Sequence, residues 1–237
     1  MIRSLKAFNL KGKHVLVRVD FNVPLKDEQV VDNFRIKAAL PTINHVLEEG
    51  AALVLMSHLG RPNGLSQPVF SLMPAGEELA GLLEMPIKFS HDCISNDALD
   101  TSLGLKPGEI HLLENLRFYK QEKQNDSEFS RRLARHGSIY INDAFGTSHR
   151  SHASNVGVAD HFKHRGMGFL IEKEIQFMDQ IMRNPSRPLV LILGGAKIDS
   201  KLALIETFLE KADTILIGGG MSFNFLKARG KEVGGLW

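Results

Sequence analysis

The sequence predicts an α/β fold, in which a parallel sheet carries helices on both of its faces. Short apolar runs alternate with amphipathic stretches along the chain, as strands alternate with helices in such a fold. The apolar runs consist of Val, Ile and Leu with little polar alternation, which is typical of strands buried on both faces. Polar or glycine-rich segments follow most of these runs. Together the three observations predict a three-layer, Rossmann-like architecture.

The apolar runs predict the strands of this sheet, and the amphipathic stretches between them predict helices. In the helix predicted at 36–49, Pro41 either opens a second helix at its first turn or kinks a single one. Ser71 is the predicted N-cap of the next helix, with Pro74 in its first turn. Further helices are predicted at 126–136 and 201–211. The predicted strands are residues 14–19, 52–56, 86–89, 110–113, 139–141, 189–193 and 214–217.

A longer amphipathic segment, residues 170–183, interrupts the alternation and ends at a turn-rich linker, 184–188. We place a domain boundary there, with a first domain at 1–170, an interdomain helix and hinge linker at 171–188, and the start of a second domain at 189–237. An ordinary surface helix within a single domain is the alternative. A chain of 237 residues, 43% hydrophobic, accommodates either organisation.

Composition excludes several classes of protein. A net charge of +2 does not predict nucleic-acid binding, which usually requires clustered Lys and Arg. The single cysteine, Cys93, cannot form an internal disulfide and is expected to be an inert buried residue. No Cys/His cluster has zinc-ligand spacing, and no apolar run reaches 18 residues. We therefore expect a soluble, cytoplasmic protein.

Polar segments follow four predicted strands of the first domain, at 20–24, 57–62, 114–118 and 142–150. In an open parallel sheet, ligands bind beyond the carboxyl ends of the strands, so these four segments are expected to meet at one edge. His152 and His161 fall outside this pattern and are interpreted as structural or surface residues.

Arginines are frequent at this predicted edge. A guanidinium binds carboxylate or phosphate with two parallel hydrogen bonds, so several together indicate a small polyanion. His58 and His149 add donors, while Asp20 and Asn22 could hold a hydroxyl group. This combination suits a phosphorylated hydroxy acid. Solvated surface charges, turn formers and, for Asp143, a loop cap are the alternatives. The arginines are Arg35, Arg61, Arg117 and Arg150.

In the second domain, glycines follow both predicted strands, as Gly-Gly-Ala-Lys at 194–197 and Gly-Gly-Gly-Met at 218–221. Glycines at strand ends let backbone N–H groups approach phosphate oxygens, and the following helix contributes its positive N-terminal end. The Walker A, dinucleotide and protein-kinase signatures are absent from the sequence. A simple tight turn is the alternative.

Five segments together resemble the phosphoglycerate kinase family in their order and spacing. They are RVDFNVP at 18–24, SHLGRP at 57–62, ENLRF at 114–118, GTSHR at 146–150 and GGAK at 194–197. The resemblance covers the whole chain, and the first two segments are highly specific. It implies a two-domain α/β kinase in which the domains close about a hinge.

The resemblance also implies roles for individual residues. Arg35 and Lys197 would be catalytic and would act on the transferring phosphoryl group from opposite domains. The nucleotide would be bound by Gly194, Gly195, Lys197, Lys201, Gly219 and Gly220. Phosphoglycerate would be bound by Asp20, Phe21, Asn22, Arg35, His58, Leu59, Gly60, Arg61, Arg117 and Arg150.

By the same resemblance, the function is the glycolytic, reversible phosphoryl transfer between ATP and 3-phosphoglycerate, which gives 1,3-bisphosphoglycerate and ADP. The protein would be a monomer that uses ATP/ADP with Mg²⁺ and has no nucleic-acid or membrane partner. Family members are longer, so the second domain is expected to be incomplete, to lack the magnesium ligand and to expose an apolar face. A non-catalytic phosphoglycerate-binding module and a different sugar-phosphate enzyme are the alternatives.

Overall fold

The computed structural model describes residues 2–196 and 198–234. The chain divides into two compact units, Met1–Glu174 and Ile175–Trp237. The division falls within a helix, Phe169–Arg183. None of the helices in the described ranges is long and apolar enough to cross a membrane. The three-part division proposed from the sequence remains a prediction.

The secondary structure alternates between strands and helices, as the sequence predicts. The helices are α1 Phe34–Glu48, α2 Met73–Leu83, α3 Asn96–Leu103, α4 Lys120–Gln124, α5 Ser127–Ala134, α6 Val158–Asp160, α7 Phe169–Arg183, α8 Leu202–Leu209 and α9 Ser222–Ala228. The strands are β1 His14–Arg18, β2 Leu25–Lys26, β3 Gln29–Val30, β4 Ala52–Met56, β5 Ile87–Ser90, β6 Ile110–Leu113, β7 Ile139–Asn142, β8 Arg165–Met167, β9 Val190–Leu193 and β10 Thr214–Ile217.

The first unit is built on a six-stranded sheet with the order β5-β6-β4-β1-β7-β8. Every neighbouring pair in this sheet is parallel. Its central strands bury both faces, because Val15 and Val17 belong to one hydrophobic cluster and Leu16 to another. Helices α1 and α2 pack in the first cluster, and α3 and α5 in the second. The predicted three-layer α/β class is therefore confirmed.

The second unit contains the two parallel strands β9 and β10. One face of this pair is covered, since Leu193 packs with Ile205 and Met221 in a small apolar cluster. On the other face Ile192 is 74% exposed and Leu216 is 50% exposed. The exposed apolar face expected from the sequence is present.

The N-terminal ends of α5 and α2 differ in how they are capped. Asp126 caps α5, because its side chain accepts the N–H of Phe129 (2.8 Å). Ser71 is not the N-cap of α2, which begins one residue later than predicted, after Leu72. The reason is tertiary: Glu114 accepts both the Ser71 hydroxyl (2.7 Å) and the Leu72 N–H (2.8 Å). Pro41 lies inside α1, so one helix forms rather than two.

Two buried histidines share one serine hydroxyl between α3, β6 and the end of α5. The Oγ of Ser102 lies 2.8 Å from Nδ1 of His111 and 2.6 Å from Nδ1 of His136. The Nε2 of His111 lies 2.8 Å from Oγ of Ser90. Burial lowers the pKa of His111 to about 3 and the pKa of His136 to about 4. Both imidazoles are therefore neutral in the folded protein at pH 7.

We expect this pair to make the protein less stable in acid. Below pH about 6.5 the unfolded chain protonates both histidines while the folded chain does not, so the free energy of unfolding falls as pH falls. Each histidine contributes roughly 1.4 kcal/mol per pH unit until the folded pKa is reached. Urea unfolding of wild type and His111→Gln at pH 7 and pH 5 measures this. In the variant, the free energy of unfolding should fall less steeply with pH, because one histidine no longer takes up a proton on unfolding. An unchanged pH dependence would contradict the neutral state of folded His111.

Candidate active site

Four loops meet at the carboxyl edge of the first sheet. They follow β6, β4, β1 and β7, which are consecutive neighbours in the parallel sheet, so their carboxyl ends share one edge. The convergence predicted from the sequence is present. We call this edge the rim and define it as residues 19–24, 57–62, 114–118 and 142–150.

Asn115 holds the β4 and β6 loops together. Its side-chain amide donates to the backbone oxygens of Leu59 (2.7 Å) and Phe70 (2.8 Å). Its Oδ1 accepts the N–H groups of Leu59 (3.2 Å) and Arg117 (3.0 Å). Because Asn115 is fully buried, these bonds set the positions of neighbouring rim residues.

Gly60, in the loop after β4, has a backbone conformation and surroundings that restrict which residue can occupy the position. It has φ +60, a conformation that favours glycine, and its N–H donates to Oδ1 of Asn22 (2.8 Å). A Cβ added to Gly60 would lie 2.4 Å from a carbon of the Phe70 ring. Both the backbone conformation and the space around it therefore require glycine.

Replacing Gly60 with alanine should destabilise the rim. We expect Gly60→Ala to lower the free energy of unfolding by roughly 3 kcal/mol, from left-handed strain plus displacement of the Phe70 ring. Gly12→Ala is the matched control, because Gly12 has φ +67 with nothing within 4 Å of an added Cβ. It should cost roughly 1 kcal/mol. Equal losses in urea unfolding would show that the ring contact is unimportant.

The four predicted arginines differ in burial. Arg117 is buried, and its Nη1 donates to the backbone oxygen of Gly60 (2.8 Å). Its Nε is also buried but has no hydrogen-bond partner among the described residues. Burial, assisted by Arg150, lowers the pKa of Arg117 to about 10, so it stays charged at neutral pH. Arg35 is half exposed and pairs with Asp20, while Arg61 and Arg150 are exposed.

His58 lies in the rim beside an arginine that sequence reasoning did not assign to the site. It is 4% exposed, and its Nδ1 lies 2.9 Å from Nη2 of Arg18. Burial, followed by the charges of Arg18, Arg117 and Arg150, holds the pKa of His58 far below its usual value. His58 is therefore a neutral imidazole among positive charges.

Arg18 is fully buried and bonded to residues far along the chain. Its Nε donates to Oγ of Ser154 (3.0 Å), and that hydroxyl donates to Oε1 of Glu122 (2.6 Å). Nδ1 of His152 lies 3.7 Å from the same carboxylate oxygen. The sequence feature that could have indicated a buried role for Arg18 is its position at the end of an otherwise apolar strand.

Two predicted ligand-binding residues direct their side chains into the core. Phe21 and Leu59 both belong to the main hydrophobic cluster. The N–H of Phe21 donates to Oγ of Ser57 (2.8 Å). Any part that Phe21 or Leu59 takes in binding therefore involves the backbone.

Asp143 connects the rim to α7. Its Oδ1 accepts the N–H groups of Leu170 (2.9 Å) and Ile171 (3.3 Å), the first turn of that helix. Burial raises the pKa of Asp143 to about 6. The alternative stated for Asp143 was a loop cap, whereas in the structure it caps the first turn of α7.

The glycine turns of the second unit lie side by side after β9 and β10. The N–H of Met221 donates to the backbone oxygen of Gly195 (2.9 Å). A Cβ on Gly219 would lie 3.0 Å from that same oxygen, so only glycine allows the two turns to approach this closely. A Cβ on Gly195 would be 3.5 Å from Cε of Lys201. Gly194 and Gly220 flank these positions, and Lys197 lies outside the described residues.

The described residues, 2–196 and 198–234, contain no group of three or more His, Cys, Asp or Glu side chains that could hold a metal ion. These residues therefore form no magnesium ligand set.

Known proteins of one family are similar to this chain over nearly its whole length. A family model described as phosphoglycerate kinase matches residues 5–236. A phosphoglycerate kinase of Borreliella afzelii is 47% identical over 98% of this chain and 59% of its own length. The structure of phosphoglycerate kinase from Coxiella burnetii has a TM-score of 0.85 at 37% identity, covering 99% of this chain and 59% of that one. This chain thus spans about 59% of the length of these relatives and belongs to the phosphoglycerate kinase family.

Proposed function

We propose that this chain takes part in the reversible, glycolytic transfer of a phosphoryl group between ATP and the carboxylate of 3-phosphoglycerate. The observation that carries the proposal is the buried, charged Arg117, whose Nε has no partner within the described ranges, beside the neutral His58. A buried donor without a partner is costly unless a ligand completes it. An anion with several oxygens meets that requirement.

Different rim residues would bind different groups of the proposed substrate. His58, Arg61, Arg117 and Arg150 would grip the phosphate and orient the carboxylate, since guanidinium groups match both oxyanions. Asp20 and Asn22 would hold the hydroxyl group, and the backbone of 21 and 59–60 would line the site. Arg35 would exchange its partner Asp20 for the substrate carboxylate or the transferring phosphoryl group.

Little covalent work is required of the protein in this reaction. The attacking group is already a carboxylate, so no general base is needed, and catalysis depends on positioning and on stabilising charge. We propose Arg35 and Lys197 for charge stabilisation. Gly194, Gly195, Gly219, Gly220 and Lys201 would hold the nucleotide phosphates.

A second candidate function is binding of 3-phosphoglycerate without catalysis. It is favoured by the contrast between the two units. The first has a closed core and four converging loops, whereas the described part of the second has two strands with Ile192 and Leu216 exposed. For either function we also propose a hinge at 171–188, a monomeric state and a cytoplasmic location.

Calorimetric titration of this chain with 3-phosphoglycerate tests the binding proposal, and a coupled assay of ATP-dependent phosphorylation tests turnover. Binding with turnover supports the kinase, and binding alone selects the non-catalytic module. Absence of both, in a chain shown to be folded by circular dichroism, would contradict the substrate site.

A further inference from the structure

A buried chain of hydrogen bonds connects α4 to the rim. It runs from Glu122 in α4 through the Ser154 hydroxyl (2.6 Å) to Nε of Arg18 (3.0 Å), and from Nη2 of Arg18 to Nδ1 of His58 (2.9 Å). Glu122 and Ser154 are 0% exposed, Arg18 is 1% exposed and His58 is 4% exposed. We call these four residues the relay.

The direction of the last bond follows from the chemistry of arginine. A guanidinium has five N–H donors and no acceptor, so Nη2 of Arg18 can only donate. Nδ1 of His58 must therefore accept, which requires that this nitrogen carries no proton. A neutral imidazole has one protonated nitrogen, and the proton of His58 is consequently on Nε2.

From this geometry we propose that Arg18 fixes His58 as the Nε2–H tautomer, so that His58 offers the rim a hydrogen-bond donor without a charge. Glu122 and Ser154 act as positioning residues that hold the guanidinium in place. The opposite tautomer would set an N–H against the N–H of Arg18 and leave two buried donors unpaired. The tautomer of His58 does not depend on the proposed function. The proposed function only identifies the ligand, 3-phosphoglycerate, whose oxygen would accept the hydrogen bond from Nε2–H.

The surroundings of His58 favour the neutral ring over the imidazolium. Arg18, Arg117 and Arg150 are all close enough to oppose a further positive charge on it. Glu122 supplies negative charge to the relay, but it bonds Ser154 rather than the ring of His58. A neutral donor can orient a ligand through a hydrogen bond, whereas the arginines attract it through their charge. A ligand group that presents only N–H donors at this position, such as an ammonium, would be rejected, because His58 has no acceptor to offer there.

Nitrogen-15 NMR of histidine-labelled wild-type protein tests the tautomer directly. Long-range correlations from the ring protons distinguish a protonated from an unprotonated nitrogen at each position. At pH 7 and without ligand, His58 should show an unprotonated Nδ1 and a protonated Nε2. A protonated Nδ1, alone or in an imidazolium, would overturn the proposal. This result is independent of whether 3-phosphoglycerate binds.

Two variants test whether the relay imposes the tautomer. Arg18→Met keeps most of the side-chain volume but removes every donor, and Ser154→Ala removes only the bridging hydroxyl. Arg18→Met should populate the Nδ1–H tautomer of His58 and bind 3-phosphoglycerate at least about tenfold more weakly. Ser154→Ala loosens the guanidinium without removing it, so it should populate that tautomer to a smaller extent. Glu128→Gln, an exposed position on α5, is the control and should leave His58 unchanged.

The folded state of each variant is checked by dispersion of its amide spectrum. An unchanged His58 tautomer in folded Arg18→Met and folded Ser154→Ala would overturn the positioning role. If Arg18→Met does not fold, Ser154→Ala and the wild-type spectrum decide the question. Loss of affinity with an intact tautomer would count against the relay and leave the substrate site itself standing.

Discussion

Replacing Arg117 with alanine is expected to weaken binding of 3-phosphoglycerate to this chain about 100-fold. Arg117 is the buried arginine of the rim, and its Nε has no partner in the described part of the chain. Hydrogen bonds to charged groups are stronger when both partners are shielded from water. The other two rim arginines, Arg61 and Arg150, and the α1 residue Arg35 are exposed, so each should contribute less when removed.

The measurement is isothermal titration of wild type and Arg117→Ala with 3-phosphoglycerate at fixed ionic strength. Arg131→Ala is the matched control, because Arg131 is exposed and pairs with Glu128 on the surface of α5. It should bind normally. Since Arg117 also bonds the backbone of Gly60, thermal unfolding must confirm that the variant is folded. Affinity within threefold of wild type would remove Arg117 from the proposed site.

Replacing Glu122 with alanine should lower the free energy of unfolding by about 3–5 kcal/mol, because a buried charge would lose its compensating partner. Burial raises the pKa of Glu122 and lowers the pKa of Arg18, and the attraction between the two groups opposes both shifts. The carboxylate also accepts the N–H and the hydroxyl of Ser154 (3.0 and 2.6 Å). Its removal leaves these donors unsatisfied as well.

Urea unfolding at pH 7 measures this loss, with Glu128→Ala as the control. Glu128 is a surface partner of Arg131, so its removal should cost well under 1 kcal/mol. The two glutamates differ in burial rather than in chemistry. Similar losses for both variants would show that Glu122 is not the structural counter-charge of Arg18.

The main sheet was predictable because the pattern that marks its strands is local. All seven predicted strands form, five of them in the six-stranded sheet and two, β9 and β10, in the second unit. Most contain several Val, Ile or Leu residues, whereas β5 contains one, Ile87. The hairpin strands β2 and β3 and the edge strand β8 were missed, because each has only two or three residues and none is buried. Such short segments become strands through pairing with a neighbour rather than through their own hydrophobic pattern.

The part of the candidate site formed by loops that directly follow strands was predictable from the sequence. The loops after β1, β4, β6 and β7 meet as predicted, since parallel strands place their carboxyl ends at one edge. The relay was not predictable, because Arg18 and Ser154 are 136 positions apart. The capping of α2 by Glu114 was missed for the same reason.

The sequence by itself determined which segments form the main sheet and which polar loops follow its strands, since both depend on hydrophobic patterns along a few residues. The tertiary structure alone decided which charges are buried and what they bond. The sequence alone does not establish that Arg18, Arg117 and Glu122 are buried charges. Their burial depends on groups from distant segments that fold against them, and those groups determine the protonation state that His58 presents at the rim.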